Sequence, residues 1–382
     1  MSHGFFRRMG FTALIALTLV PASLRADTFL VTRFVDKNDG ACDRDCSLRE
    51  AVLAANQHPG FDAILLPPGV YRLSIAGTDE DLGATGDLDV TDDLLILGPG
   101  PNETVIDGGG IDRVLDVHAP ASVSLNTLAI RHGKTGGTQT SGGGIRNTGY
   151  LAINASVVTG NSAPGFGFGG GIYSDGFGSI LTLDASTIAG NTAEGGGGGL
   201  AVGGRLEVRN STLSGNRSVT DFGGGAYLFS EAVATFQNAT LTANRAAQRG
   251  GGIFAEQPLT VPPRFSNTIL AANAAPSDSD CLGSPVSGGY NLVGQGEGCP
   301  DFQAALGDQA GTAATPLDPG LSRLSDNGGP TPTHALLPGS PAINAGNPAP
   351  PGSAAGCLST DQRFLRRGAS RCDIGSFERG AR

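Results

Sequence analysis

The stretch Gly142-Gly143-Gly144-Ile145 opens a pattern that occurs five times in the chain. In each copy three glycines precede an aliphatic residue or an alanine. The copies begin at Gly142, Gly169, Gly197, Gly223 and Gly250. Their starts are 26 to 28 residues apart. A fixed period of this length indicates a repeat architecture, because each unit is too short to bury a core alone and must stack on its neighbours.

Each copy closes on an asparagine. These asparagines are Asn161, Asn191, Asn216, Asn244 and Asn273. The apolar residues three positions earlier are Val158, Ile188, Leu213, Leu241 and Leu270, and the small or amide residues six positions earlier are Ala155, Ala185, Asn210, Asn238 and Asn267. We expect the apolar residues to stack in the interior and the asparagines to form side-chain ladders at the corners of the coils.

Short alternating runs lie between the glycines and the asparagines, such as Leu181-Thr182-Leu183-Asp184 and Leu206-Glu207-Val208-Arg209. This alternation is typical of strands with one buried face. Parallel strands stacked about 4.8 Å apart would align a buried column. Its members are Ile153, Leu183, Val208, Phe236 and Phe265. Residues 141–275 are therefore predicted to form five coils of an all-β parallel solenoid, and residues 61–140 to form irregular coils of the same stack.

The first 26 residues have the features of a secretory signal: Arg7 and Arg8, an apolar run from Phe11 to Val20, and small residues at the expected cleavage point. The apolar run is too short to span a bilayer, and the rest of the chain has no spanning segment. Removal of the signal would take away three arginines and no acid, so the net charge would change from −10 to −13. An acidic chain of this kind is a poor candidate for nucleic-acid binding.

The six cysteines form three local groups, which are Cys42 with Cys46, Cys281 with Cys299, and Cys357 with Cys372. In an exported chain they are disulfide candidates, although six cysteines allow fifteen pairings. Zinc binding is the alternative, but the closest pair has no histidine near it.

Both ends of the solenoid are predicted to be capped, because open strand edges invite aggregation. Residues 27–60 would form an N-terminal cap in which Ser47-Leu48-Arg49-Glu50 has the spacing of a capping box and starts a helix from about Leu48 to Gln57. Residues 276–382 would form a C-terminal cap or tail domain that carries two of the cysteine groups.

Two motifs resemble known families. Cys46-Ser47-Leu48-Arg49-Glu50-Ala51 resembles the N-terminal domain of the secreted bacterial CSLREA proteins. The segment from Asp326 to Ile343, with Asp361-Gln362-Arg363 and Cys372 to Glu378, is similar to the choice-of-anchor Q domain. Because the chain ends at Arg382 without an anchoring tail, free secretion is the expectation.

The glycine triplets with their downstream asparagines are in addition similar to the repeats of polymorphic outer-membrane proteins. Together the three resemblances imply a right-handed, single-stranded parallel β-helix of the pectin-lyase-like class. None of them assigns a catalytic residue.

The residue after each glycine-rich turn would face outward. These residues are Arg146, Tyr173, Ala201, Tyr227 and Phe254. A partly aromatic column is a candidate platform for sugar rings, because Tyr173, Tyr227 and Phe254 offer apolar faces. The alternative is that the rings pack against neighbouring loops.

Charged outward residues are the weaker candidates for catalysis. Asp184, Glu207 and Arg209 could supply an acid, a base and a uronate-binding cation, or could form ion pairs on a solvated face. His132 with Arg131 and Lys134 makes a basic spot that could hold an anionic sugar.

A metal or cofactor is weakly indicated. The oxygen-bearing side chains of Asp36, Asn38, Asp39 and Asp43 have a spacing that could hold calcium, although an aspartate-rich turn needs no metal. No other cofactor is expected.

The leading hypothesis is a secreted β-helical binding protein whose exterior face contacts extracellular polysaccharide or a cell surface. The alternatives are a polysaccharide lyase or glycoside hydrolase of the pectin-lyase-like class, and a structural spacer. The step from fold to function rests on analogy.

Overall fold

The chain folds as a right-handed parallel β-helix with very little α-helix. The computed structural model describes residues 26–381 except residues 177, 304–306, 355, 369 and 370. The predicted secretory signal therefore lies outside the described residues, apart from Ala26. The predicted all-β solenoid is confirmed.

Three long parallel sheets run along the stack, and a short fourth sheet lines one corner. Sheet A has ten strands: Thr28–Leu30, Asp62–Leu65, Leu94–Leu97, Ser122–Asn126, Tyr150–Asn154, Ile180–Asp184, Arg205–Arg209, Val233–Gln237, Arg264–Ser266 and Val286–Ser287. Sheet B has ten strands: Gly69–Arg72, Thr104–Asp107, Ala129–Arg131, Val157–Thr159, Thr187–Ala189, Thr212–Ser214, Thr240–Thr242, Ile269–Leu270, Leu292–Val293 and Gln309–Ala310. Sheet C has eight strands: Leu88–Val90, Leu115–Val117, Ile145–Asn147, Ile172–Ser174, Leu200–Val202, Ala226–Leu228, Ile253–Ala255 and Cys281–Leu282. Sheet D has four strands: Ser162–Ala163, Thr192–Ala193, Arg217–Ser218 and Arg245–Ala246.

The core is built from the predicted columns. One column pairs rung by rung in sheet A and consists of Ile153, Leu183, Val208, Phe236 and Phe265. The other pairs in the same way in sheet B and consists of Val158, Ile188, Leu213, Leu241 and Leu270. All are buried, and the rings of Phe236 and Phe265 stack with centroids 4.4 Å apart. Burial of equivalent side chains on consecutive rungs is the main source of stability that a repeat too small for its own core can use.

The asparagine ladder is confirmed. From Asn161 to Asn244, each side-chain Nδ2 donates to the Oδ1 of the next asparagine at 2.9 to 3.0 Å. Each Nδ2 of the series also donates to a backbone carbonyl on the preceding rung, such as Val158 O for Asn191. The ladder ends at Asp280, whose Oδ1 accepts from Asn273 at 2.9 Å. These buried amides satisfy corner backbone groups that the strands leave unpaired.

The glycine triplets are required by close backbone contact. The first glycine of each triplet has a positive φ, as at Gly197 (φ 70°). A Cβ on the second glycine, for example Gly198, would lie 2.4 Å from backbone atoms of Arg217. The corner between sheets A and B is different, because in the five repeat coils its left-handed residues are Ala155, Ala185, Asn210, Asn238 and Asn267. Alanine and asparagine thus take a conformation that the sequence pattern assigns to glycine.

The N-terminal helix Leu48–Gln57 has the predicted bounds and a complete capping box. Ser47 Oγ accepts from Glu50 N, and Glu50 Oε2 accepts from Ser47 N at 2.9 Å. Leu48 and Ala51 are buried in the main core. The helix therefore closes the first coil.

The C-terminal segment has two parts. Residues 281–311, with the 3-10 helix Pro300–Gln303, close the last coil, and Phe302 is fully buried against Phe265. The remaining tail turns back along the outer face of sheet B. There, a second apolar cluster forms between the sheet and the tail, with Ile269, Leu336, Ile374 and Phe377 among its members.

Disulfides join the three predicted groups, Cys42–Cys46, Cys281–Cys299 and Cys357–Cys372. No helix in the described part of the chain is long and apolar enough to cross a membrane.

Candidate functional site

The outer face of sheet A carries a grid of polar side chains. One column contains Glu207, Thr235 and Arg264 on successive rungs, and its neighbour contains Arg209, Gln237 and Ser266. The strand period of two places both columns on the same face, because residues two apart point the same way. Asp184 pairs with Arg209, so the predicted shared column of these two residues is confirmed.

Glu207 is the centre of an ion-paired row. Its Oε2 accepts from Arg209 Nη2 at 3.1 Å, and its Oε1 accepts from Arg205 Nε at 3.2 Å. The glutamate side chain is 21% exposed, and both arginines are largely exposed. Both carboxylate oxygens of Glu207 are therefore engaged by guanidinium donors.

The tail converts this face into a cleft. Asn347 and Gly356 lie opposite the outer columns, and the space between them has a volume of about 570 Å³. Gln237 Nε2 donates to Gly356 O at 3.4 Å, which fixes one edge. Arg264 is exposed and forms no ion pair with any described residue. The cleft therefore presents cations and amide donors from adjacent rungs.

The outward column of sheet C has the predicted order from Arg146 to Phe254. Its rings do not form an open platform. Tyr227 is 7% exposed and packs with Phe168, Phe229 and Phe254 at centroid distances of 4.8 to 5.3 Å. Tyr173 is half-buried and contacts Phe229 edge-on. The two phenylalanines of adjoining loops thus cover much of the column.

Both tyrosine hydroxyls are tied to carboxylates. Tyr173 donates to Asp175 Oδ2 at 2.7 Å, and Tyr227 donates to Glu256. Burial, followed by these acceptors, raises the pKa of both phenols. Glu256 in turn accepts from Ser230 N, so the Tyr227 hydroxyl is part of the structure of this loop.

In the predicted basic spot, Asp107 binds Arg131 and His132 but not Lys134. Asp107 Oδ2 accepts from Arg131 Nε at 2.9 Å and contacts His132 Nδ1 at 3.0 Å. Despite the opposing effect of burial, hydrogen bonds from Gly109, Arg131 and His132 lower the pKa of Asp107. Lys134 remains exposed and forms no ion pair with a described residue.

The predicted calcium ligands have separate partners. The Asp36 carboxylate binds Arg49 and accepts from Ser74 N and Ile75 N. Asp39 pairs with Lys37, Asn38 donates to Ala84 O, and Asp43 accepts from Asp45 N. Nothing in these contacts brings the four oxygens together.

A denser acidic group lies beside sheet C, and sequence reasoning missed it. Asp81, Asp89, Asp116 and His118 each offer a ligand atom, and these atoms lie within 4.8 Å of one another. Burial raises the pKa of neighbouring Asp87 to about 8. Asp89 and Asp116 could have been found by aligning the earlier coils with the glycine repeat, but Asp81 lies in a loop without any period.

Comparison with known proteins gives little further information. No protein-family model and no curated protein matches the chain. Among solved structures, the chain is similar to that titled "Crystal structure of pectate lyase Pel9A", with a TM-score of 0.40 and 13% identity over 93% of this chain and 96% of that chain. What the site can do is decided by its own side chains.

Proposed function

We propose that this protein is an extracellular binding protein that holds an anionic polysaccharide in the cleft between sheet A and the C-terminal tail. The observation that carries this proposal is the position of Arg209 and Arg264 on neighbouring columns of one cleft. Guanidinium groups bind carboxylates through paired hydrogen bonds, so a uronate is the chemical class that fits them.

The cleft also offers partners for sugar hydroxyls. Thr235 is exposed between Glu207 and Arg264, and Asn347 lines the opposite wall. Asn347 Oδ1 accepts from Ala349 N at 2.9 Å, which leaves the side-chain NH₂ as a donor. Polar groups repeat from rung to rung about every 4.8 Å, close to the length of one pyranose unit in an extended glycan. A polymer lying along the stack would therefore meet similar groups at successive residues.

Net charge favours a local rather than a diffuse interaction. The chain carries a net charge of −10, so most of its surface repels polyanions. An anionic glycan would bind where arginines are concentrated and acids are already paired. Glu207 meets the second condition, because Arg205 and Arg209 both contact it.

The test is binding of polygalacturonate and alginate, with dextran as a neutral control, to the full chain and to the double variant Arg209→Gln/Arg264→Gln. We expect saturable binding of a uronate polymer that the double variant weakens at least tenfold. Dextran should not compete. The matched control is the double variant Arg217→Gln/Arg245→Gln, which removes two exposed arginines from sheet D.

Equal weakening in both double variants would mean diffuse charge attraction and would contradict the cleft. Absence of saturable binding would favour the structural spacer. Release of reducing ends or unsaturated uronates that Glu207→Gln abolishes would instead identify a polysaccharide-cleaving enzyme and overturn a binding-only function.

A further inference from the structure

Two carboxylates stand opposite each other on adjacent rungs of sheet C. Asp89 pairs with Asp116, and both are essentially without solvent exposure. Like charges at directly paired positions destabilise a sheet, and burial increases their repulsion. A compensating positive charge is therefore expected between or beside them.

Two arginines, Arg113 and Arg146, bind only one of the two carboxylate oxygens of Asp116. Its Oδ2 accepts from Arg113 Nη1 at 2.7 Å and from Arg146 Nη1 at 2.9 Å. Its Oδ1 is buried and has no hydrogen-bond partner. That oxygen points toward His118, whose Nε2 lies 3.9 Å away. A buried carboxylate oxygen without a donor is costly, so a cation at this point would remove a specific penalty.

The other ligand atoms converge on the same point. His118 Nε2 is 2.8 Å from Asp89 Oδ1, and Asp89 Oδ2 accepts from Gly83 N. Asp81 reaches the group from an exposed loop and contributes the fourth ligand atom within 4.8 Å of the rest. The group is thus buried on the sheet side and open on the side of Asp81 and His118, which provides a path of entry.

Further acids raise the negative potential around the group. Glu80, Asp87 and Asp112 lie with Asp81 and Arg113 around a narrow gap beside it. Arg113 is buried and is shared between Asp87 and Asp116. The arginines of the cluster are therefore too few to balance its carboxylates.

We propose that Asp81, Asp89, Asp116 and His118 bind one divalent metal ion. Three carboxylates and an imidazole form a mixed oxygen and nitrogen donor set. Such a set suits Mn²⁺ or Zn²⁺ better than Ca²⁺, because Ca²⁺ prefers a shell made only of oxygen atoms. The site is separate from the sheet A cleft and does not depend on glycan binding.

The experiment is titration of the chelator-treated full chain with Mn²⁺, Zn²⁺ and Ca²⁺ by calorimetry, with Mn²⁺ paramagnetic resonance as a second readout. We expect one saturable Mn²⁺ or Zn²⁺ per chain. Asp81→Asn and His118→Gln should each lower that affinity at least about 10-fold, because the loss of even an outer-shell partner of a metal ligand costs about 10- to 100-fold. Asp81 is exposed, so its variant should fold, which circular dichroism checks.

Glu80→Gln is the matched control, because it removes one charge from the same loop without removing a ligand. Glu80→Gln should weaken metal binding far less than Asp81→Asn, because it lowers the surrounding negative potential without removing a ligand. The proposal is overturned if neither Mn²⁺ nor Zn²⁺ saturates a site, or if Glu80→Gln weakens binding as much as Asp81→Asn. Binding of Ca²⁺ alone, unaffected by His118→Gln, would contradict the assignment of His118 as a ligand.

Discussion

Arg49 and Asp36 form a fully buried, two-pronged ion pair. Arg49 Nε and Nη2 donate to the two oxygens of Asp36 at 2.8 and 3.1 Å, and neither side chain is more than 1% exposed. The remaining guanidinium donors bind the carbonyl oxygens of Gly83, Gly86 and Asp87. Every N–H of this arginine is therefore satisfied, and the helix is fixed to the loop that precedes sheet C.

Removal of one partner of this ion pair should strongly destabilise the fold. Asp36→Asn leaves the guanidinium buried without a counter-charge, so we expect the free energy of unfolding to fall by about 3–5 kcal/mol. Urea denaturation followed by circular dichroism measures it. Arg205→Gln is the control, because Arg205 is largely exposed and Glu207 keeps its contact with Arg209, so the midpoint should hardly move. A small effect of Asp36→Asn would show that the pair contributes little.

The asparagine ladder should be sensitive to a single gap. Asn216→Ala removes the acceptor of Asn191 N and Nδ2 and the donor to Asn244 Oδ1. Because these partners are buried, we expect a loss of at least about 2 kcal/mol. Asn154, a half-buried asparagine on the outer face of sheet A, is the control and should cost less on replacement by alanine. Similar losses at the two positions would argue against a ladder-specific effect.

The contribution of Asp280 to stability should fall as the pH rises from about 4 to about 6. Burial raises the pKa of Asp280, the last member of the ladder, to about 6 from an ordinary value of 3.8. Over this window the unfolded chain releases the proton first, so ionisation favours unfolding by up to about 3 kcal/mol.

Asp280→Asn isolates this effect from the other titrating groups. The variant keeps an acceptor for Asn273 but cannot ionise. The difference in unfolding free energy between the two proteins should therefore change between pH 4 and pH 6. A difference that stays constant with pH would show that Asp280 titrates normally.

The second glycine of a triplet should not accept a methyl group. A Cβ at Gly198 would lie 2.4 Å from the backbone of Arg217, so Gly198→Ala must push two rungs apart. We expect a loss of about 1–3 kcal/mol. At Gly100 the nearest atom would be Glu103 Oε1 at 3.6 Å, and alanine there should be tolerated. Thermal unfolding of both variants checks the contrast.

Tyr227 should act mainly through packing and its hydroxyl contact. Tyr227→Phe removes a partly buried hydrogen bond to the Glu256 carboxylate and should cost about 1 kcal/mol or more, whereas Tyr150→Phe, at an exposed tyrosine, should be neutral. Differential scanning calorimetry measures both. If Tyr227→Phe is also neutral, the contact with Glu256 is not maintained in solution.

The sequence predicts most of the scaffold because its information is periodic. The column through Phe236, the asparagine ladder, the capped helix and the cysteine groups follow from spacing alone. For the outward residues of sheet C, the sequence predicts the order along the sheet but not the side chains that surround them. Tyr227 has the expected register, yet loop residues Phe168 and Phe229 cover it, and no repeat places those two rings.

The two proposed binding regions depend on segments that lack a period. The sheet A cleft exists only because Asn347 and Gly356 face Glu207 and Arg209. The acidic group needs Asp81, which approaches the coil from a loop. Positions of this kind are set by long-range packing, so spacing along the chain does not predict them.

The tail has a mechanical consequence for the solenoid. The tail contacts four consecutive coils: Thr331 contacts Ala185, Gln362 contacts Thr212, Ser376 N donates to Thr240 Oγ1, and Gly375 N donates to Asn267 O. In an ordinary repeat array each unit couples only to its neighbours and the ends can fray. Here, detaching one coil must also release contacts shared with distant coils. The tail therefore acts as a brace that makes these coils unfold together.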